Sequence, residues 1–365
     1  MKRSAMRVMA VGCLVAAGMI GSVAAQQQPA AKAPVRKSPA SAVPSNAAPV
    51  QAAPETPTYR FGTAVAPEKP AGTFRLMSYN IENLFDDKDD PKLTGGQDDK
   101  DMTKPESRRR AAADAVRRAR PDVIALQEVE SLEAVTWWRD EFLKDMGYEH
   151  VVSLDSGDGR GIENAVLSKF PLKDAQVWPD APLGGTHPNK SEFRGQPIEF
   201  RRSPLKVTVE VPGENGAKPY EVTLFVVHQK SGRDNGYWRE REAAKTVELA
   251  KELLNKDPDA NIVICGDMNC EAAQNPFRIY TGAGFIDAFA DRVKSESKWI
   301  THESGRAIDH VLMSAGAAKE LVKETRFILG MPARPKGVDW RTTDPPEGFA
   351  SDHYPVVVDL HATDR

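Results

Sequence analysis

Cysteine, long apolar runs and surplus positive charge are scarce in this 365-residue sequence, and each shortage excludes something. Its three cysteines are Cys13, Cys265 and Cys270, and Cys13 falls inside an N-terminal apolar run. Two remaining cysteines make no disulfide framework for an exported chain. One bridge could join them, but the apolar run Ile262-Val263-Ile264 ahead of Cys265 favours a buried thiol acting as a small hydrophobe. No Cys/His set has zinc-site spacing. The run from Val8 to Val23 falls short of the roughly twenty apolar residues that cross a bilayer, and no later segment comes closer. A mature chain without stable membrane insertion is expected.

The N-terminus reads as a targeting segment. Lys2, Arg3 and Arg7 precede the apolar run and Val23-Ala24-Ala25 closes it with small residues, the pattern of a secretory signal peptide over residues 1–25. Export to the periplasm or the medium follows. No Leu stands three residues before Cys13, which argues against a lipid anchor. Residues 26–70, rich in Ala, Pro, Gln and Ser, have no periodicity able to bury a core and read as a disordered spacer.

Without the eight Lys/Arg and two Asp/Glu of residues 1–70, 41 basic residues face 50 acidic ones. A domain with that balance does not coat nucleic acid nonspecifically, so an anionic substrate must be held by local cations and metal. Residues 71–365 show no second linker and no repeat, so a single domain is expected. Apolar β-type runs are predicted at Phe74–Tyr79, Val123–Gln127, Glu163–Ser168, Leu205–Val211, Glu221–His228, Asn261–Gly266, Ala307–Met313 and Pro355–Leu360. Helical patterns cover Ser107–Ala119, Val135–Met146, Trp238–Asn255 and, briefly, Asn275–Tyr280. The class is α/β without strict βαβ alternation.

Polar groups recur where these strands end: Asn80 and Glu82, Glu128, Asn164, His228, Asp267 and Asn269, Asp309, then Asp352 and His353. Rigid elements present side chains to a cleft in this way. Oxygen donors such as Asn80, Glu82 and Glu128 suit a hard cation, magnesium or manganese, rather than zinc. Asp309 and His353 could form an oriented carboxylate–imidazole pair. Taken singly each signal is weak: Gly-Asp-x-Asn is a common turn, and a lone His at a strand end is more commonly a satisfied structural residue. Arg194, Arg201, Arg202, Lys230, Arg233 and Arg239 lie near these segments and could hold an anion. Arg108-Arg109-Arg110 reads as an exposed helix start. The loop Gly232–Trp238, with Tyr237 and Trp238, could stack bases or meet a lipid surface.

In order, Met77-Ser78-Tyr79-Asn80-Ile81-Glu82-Asn83-Leu84-Phe85-Asp86, Leu126-Gln127-Glu128-Val129, Arg160-Gly161-Ile162-Glu163-Asn164-Ala165-Val166, Val227-His228-Gln229-Lys230-Ser231, Gly266-Asp267-Met268-Asn269, Ile308-Asp309-His310-Val311 and Ser351-Asp352-His353-Tyr354-Pro355 resemble the endonuclease/exonuclease/phosphatase superfamily. The opening segment and His228-Gln229-Lys230-Ser231 are most similar to its bacterial secreted nuclease-like branch. The resemblance implies a four-layer αββα sandwich of two mixed β-sheets flanked by helices, with the site at one end of the sheets. It also implies Glu128 as principal magnesium ligand, supported by Asn80, Glu82 and Asp352. Asp309 would orient His353, His228 and Asn269 would contact the scissile phosphate, and either Asp267 or His353 would be the base. Asn164 would lie beside the phosphate, with Lys230 and Arg202 as substrate-binding cations. The expected function is metal-dependent phosphodiester hydrolysis by a monomer acting on nucleic acid. The alternatives are a lipid-headgroup phosphodiesterase, an inositol-phosphate phosphatase, or a binding protein that has lost catalysis.

Overall fold

The computed structural model describes residues 59–89, 102–188, 193–213, 218–293, 296–339 and 342–365. The expected signal peptide and the spacer up to residue 58 lie outside them. Residues 59–70, counted with the spacer on composition, pack on the domain: Phe61 is buried edge-on against Tyr354, and the Thr63 N–H donates to the Ile328 carbonyl. Side chains from the domain add to this: Arg118 donates to the Ala64 carbonyl and Arg75 to that of Pro67, contacts across the fold that composition does not register.

In chain order the elements are β1 (Thr73–Leu84), α1 (Glu106–Ala119), β2 (Val123–Val129), α2 (Leu132–Phe142), β3 (His150–Ser153), β4 (Glu163–Ser168), β5 (Leu172–Gln176), β6 (Pro182–Thr186) and β7 (Pro197–Glu199). Then come β8 (Leu205–Val211), β9 (Tyr220–His228), α3 (Gly236–Leu254), β10 (Ile262–Asp267), α4 (Asn275–Gly282), β11 (Ile286–Asp287), β12 (Asp309–Met313), α5 (Ala315–Lys319), β13 (Phe327–Ile328) and β14 (Val356–His361). They form two six-stranded sheets, ordered β13-β14-β1-β2-β4-β3 and β11-β12-β10-β9-β8-β5, and a β6-β7 ribbon. Each large sheet is mixed: β1–β2 and β9–β10 are parallel, and the other pairs are antiparallel.

Period-two alternation explains the layering. Along β9, Val222, Leu224 and Val226 join a core shared with the first sheet, whereas Phe225 and Val227 join a second core with Trp238 and Ala250 of α3 and Phe277 of α4. On β10, Val263 and Cys265 face the first core and Ile262 and Ile264 the second. With both faces covered, these strands read as unbroken apolar runs. Small residues of α1 (Ala112, Ala115, Ala119) and Trp138 of α2 close the other side of the first sheet. The expected four-layer sandwich is therefore present. Cys265 and Cys270 are both free and buried.

Two buried polar groups carry measurable consequences. Arg75 on β1 stands opposite Asp359 on β14, both fully buried, and the guanidinium meets the carboxylate through two bonds of 2.7 and 2.8 Å. It also donates to the carbonyls of Ala119 and Pro67. Removing one partner leaves a charge uncompensated in the core, so Asp359→Asn is expected to cost about 3 kcal/mol in urea unfolding, and the Arg75→Met/Asp359→Leu pair much less. A cost near zero for Asp359→Asn would contradict this.

His310 on β12 is held neutral: Nε2–H donates to the Cys270 carbonyl at 2.8 Å and Nδ1 accepts from Arg292 at 3.3 Å. Burial and Arg292 push its pKa down to about 3. Below its ordinary value of 6.5 the unfolded chain therefore takes up a proton that the native state refuses. Stability attributable to His310 should fall by about 1.4 kcal/mol per pH unit as pH drops from there toward 3. His310→Gln should flatten the dependence of the unfolding free energy on pH by about one proton over that window; equal slopes in the two proteins would refute the assignment.

Candidate active site

The site lies where the parallel pairs of the two sheets end side by side. In the first sheet a bulge interrupts the pairing at the site, and in the second Asp267 and His228 form the last parallel pair, directly after a glycine. Pairing of β2 shifts register between Gln127 and Val129, and the extra residue is Glu128 at φ 63°. Glu82 and Asn83 at the end of β1 have φ values of 57° and 53°, and Asn269 one of 48°. Left-handed backbone at residues other than glycine is costly and persists where surrounding structure over-determines it, commonly at functional sites. Bulges re-aim side chains in the same way. Gly266 has φ 140° and its hydrogen faces the neighbouring strand, where a Cβ would stand 1.9 Å from the Val227 carbonyl oxygen.

At the centre, the Asn80 amide nitrogen donates to Glu128 Oε1 and Asp267 Oδ2, both at 3.3 Å, and lies 3.5 Å from His353 Nε2. Glu128 Oε2 accepts from the Asn83 N–H at 3.1 Å, and His228 Nε2 lies 3.5 Å from Oε1. Asp267 accepts from the backbone and side-chain amides of Asn269 at 2.8 and 3.0 Å, and His353 Nε2 stands 3.7 Å from Asp267 Oδ2. Behind His353, its Nδ1 contacts both carboxylate oxygens of Asp309 at 3.0 and 2.9 Å, and Thr301 donates to Asp309 at 2.7 Å. Glu128, Asp267, His228, Asn80, Asn269, Asp309 and His353 are thus brought together.

The electrostatics divide the two imidazoles. Burial works against a charge on His353, but Asp309, Asp267 and Asp352 outweigh it and hold the pKa well above the ordinary value. For His228, burial and Arg202 act in the same direction and hold it well below. Arg202 Nη1 lies 2.8 Å from His228 Nε2, so that nitrogen is the acceptor. The guanidinium is itself buried and pairs with Asp158. Burial pushes the Asp267 carboxyl up to about 6 against the pull of His353.

Glu82 and Asp352 stand in an adjacent cluster. The Asp352 N–H donates to Glu82 Oε2 at 3.0 Å, Arg108 pairs with the same carboxylate, and the Lys104 ammonium binds the carbonyls of Glu82 and Ala350. Asp352 also contacts His302 Nε2 at 3.3 Å, and the His302 ring meets His353 edge-on at 4.6 Å. His302, Asp352 and His353 offer three ligand atoms within 4.8 Å of one another, as do Asp267, Asp309 and His353. Oxygen-rich donors around Glu128 and Asp267 fit a hard divalent cation. Asn80 turns its nitrogen toward those carboxylates, while its Oδ1 accepts from the Glu82 N–H at 3.0 Å.

Other expectations are redrawn. Asn164 donates to the Ser203 carbonyl at 3.1 Å, and its buried Oδ1 has no protein partner among the described residues. The Lys230 ammonium lies over the Phe193 ring. Arg239 braces the loop before α3 by donating to the carbonyls of Lys230 and Gly232, and Arg201 pairs with Glu199, so neither is a free anion contact. Trp238 is fully buried on the inner face of α3 and donates to Glu199, which removes it as a base-stacking platform. Arg108 reaches the site and Arg109 is buried, so the triple-arginine run is no mere exposed helix start. Lys104 and His302 carried no signal in sequence, because each meets the site only through contacts made across the fold.

The profile of the Endonuclease/Exonuclease/phosphatase family matches residues 77–353, and the chain belongs to that family. Members are phosphoester hydrolases that generally use divalent metal ions. Among solved structures, the human Nocturnin catalytic domain with bound sulfate anion is similar at TM-score 0.52 and 13% identity, over 82% of this chain and 97% of that one. Truncated TDP2 of Caenorhabditis elegans gives 0.49 and 17%, over 80% and 98%. An endonuclease/exonuclease/phosphatase from Beutenbergia cavernae gives 0.48 and 20%, over 80% and 72%. No curated protein matches the chain.

Proposed function

We propose that the chain is an exported, magnesium-dependent phosphodiesterase of the nuclease type, with manganese as the alternative ion. The observation that carries this reading is the meeting of Glu128 and Asn80 from one sheet with His228, Asp267 and the Asp309–His353 pair at the same end of the sandwich. A divalent ion held by Glu128, with Asp267 and Asn80 beside it, would polarise a phosphoryl oxygen and stabilise the leaving oxygen.

The protein groups divide the remaining work. His353, kept protonated by Asp309, offers its Nε2–H to a phosphoryl oxygen and neutralises charge as it develops. That leaves Asp267, ionised at neutral pH and 3.7 Å from His353, to accept the proton of the attacking water as its oxygen bonds to phosphorus in line with the departing one. Asn269 holds Asp267 through two hydrogen bonds, and its amide nitrogen also donates to the Gln229 carbonyl. Neutral His228 carries the Arg202 cation up to the cluster, while Asn164 uses its amide nitrogen on the Ser203 carbonyl. The export part of the reading rests on residues 1–25.

Plasmid DNA, single-stranded RNA, sphingomyelin and inositol phosphates, each with magnesium or with EDTA, test the proposal. Cleavage of DNA or RNA is expected with magnesium, falling by at least about 10²-fold with EDTA and returning when magnesium is restored. Turnover confined to sphingomyelin or inositol phosphates would overturn the nuclease reading, and none on any substrate would overturn catalysis itself. A mature N-terminus near Gln26 in culture supernatant or periplasm would support export.

A further inference from the structure

A cavity opens against His302 and Asp352. It encloses about 580 Å³ and is lined by His302, Asp352, Arg60, Arg306, Arg334 and Lys336 together with Glu303. That volume lies in the range of small-ligand sites. Four basic side chains against two carboxylates give its walls a cationic balance. Glu303 is used by Arg334, whose Nη1 lies 2.9 Å from its carboxylate, and Asp352 by His302. Arg306 is bonded to Ser304 Oγ at 2.9 Å, and Arg60 to the Arg334 carbonyl at 3.3 Å with its guanidinium over Phe61. Both acidic walls are thus engaged while Arg60, Arg306 and Lys336 keep charge to spare, in a domain that is otherwise net acidic.

The wall shared with the candidate active site is thin. His302 touches Asp352 with Nε2 and the His353 ring with its edge, and its backbone pairs with that of His353. A group in this cavity is therefore one side chain away from the imidazole that faces the scissile phosphate. Among the described residues no carboxylate pairs with Arg60, Arg306 or Lys336, and such guanidinium and ammonium donors are suited to a phosphate dianion.

We propose that this cavity is a second phosphate subsite, which holds a further phosphate of the same substrate molecule while the scissile one sits at His353. The proposal rests on the phosphodiesterase reading for the place of the scissile phosphate. It makes the enzyme selective for substrates bearing two or more phosphates, whether successive phosphates of a nucleotide chain or those of an inositol polyphosphate.

Direct binding tests it without turnover. With magnesium present, calorimetric Kd values are measured for thymidine 5′-monophosphate against thymidine 3′,5′-bisphosphate, and for inositol 1-phosphate against inositol 1,4-bisphosphate. At least one pair should show a preference of about tenfold for the bisphosphate, as expected for added charge-assisted hydrogen bonds. The pair that shows it identifies the source of the second phosphate. In Arg306→Ala/Lys336→Ala the preference should collapse toward one, and Arg306→Lys/Lys336→Arg should restore most of it. Both substitutions are at exposed positions, so native thermal unfolding is expected and is checked alongside. No preference in either pair, or a preference that survives the double alanine variant, overturns the subsite. Failure of the phosphodiesterase reading would show separately, as absent magnesium-dependent turnover on every substrate above.

Discussion

His353→Ala is expected to lower kcat on the best phosphodiester substrate by about 10³-fold, with KM changed far less. The imidazole is buried, carries its proton because three carboxylates surround it, and points Nε2 into the cluster that contains Glu128 and Asp267. Its contribution is greatest when charge develops on the phosphate, so the loss belongs in kcat. Asp309→Asn should approach the same loss, because the carboxylate both orients the ring through Nδ1 and sustains its charge. With that carboxylate neutralised, the His353 pKa falls, and the alkaline limb of the pH–rate profile should move to lower pH. The two residues act as a unit, so the double variant should be little worse than His353→Ala alone. Multiplicative losses in the double variant, or an Asp309→Asn profile with an unmoved alkaline limb, would contradict this coupling.

Gly266→Ala is expected to cost about 5 kcal/mol or more, or to prevent folding altogether, although it adds one methyl group. Two causes act together. The backbone sits at φ 140°, which L side chains rarely adopt, and the new carbon would meet the Val227 carbonyl oxygen at 1.9 Å. That oxygen belongs to the backbone of β9, paired in parallel with β10 at this point, so it cannot swing aside as a side-chain tip would. Relief requires the strands to separate immediately before His228 and Asp267, which should also remove activity from any folded fraction. Urea unfolding and residual turnover measure both effects. Gly282→Ala, at a position where an added Cβ meets nothing within 4 Å, should cost little and serves as the control.

The strands bearing the site were legible because they are buried on both faces. Glu163–Ser168 and Leu205–Val211 are observed with the bounds that their apolar runs predict, and β9 and β10 shift by a residue. Elements that escaped notice are those whose stability comes from neighbours. β11 and β13 have two residues each and exist through pairing with β12 and β14. β5 is an exposed edge strand with a register shift, so no face of it had to be apolar. Helix α2 ends at Phe142, short of the predicted Met146, because the chain tightens into a single 3₁₀ turn at Lys144–Met146.

The sequence by itself determined which groups stand at strand ends, and in what order, because local apolar runs mark the strands and polar residues mark where they stop. His353 is the clearest case: its dipeptide with Asp352 means little alone, and the ordered series from Asn80 to Asp309 singles it out. Only the tertiary structure decided how those groups face one another. It places Asp309 behind His353, pairs Glu82 with Arg108, and sets Arg202 on His228. It also brings in Lys104 and His302, which no spacing links to the motifs. The reason is physical: a strand's own residues dictate its pleat, whereas a bulge at Glu128, a left-handed turn at Glu82 and a contact between two sheets depend on partners far away in the chain.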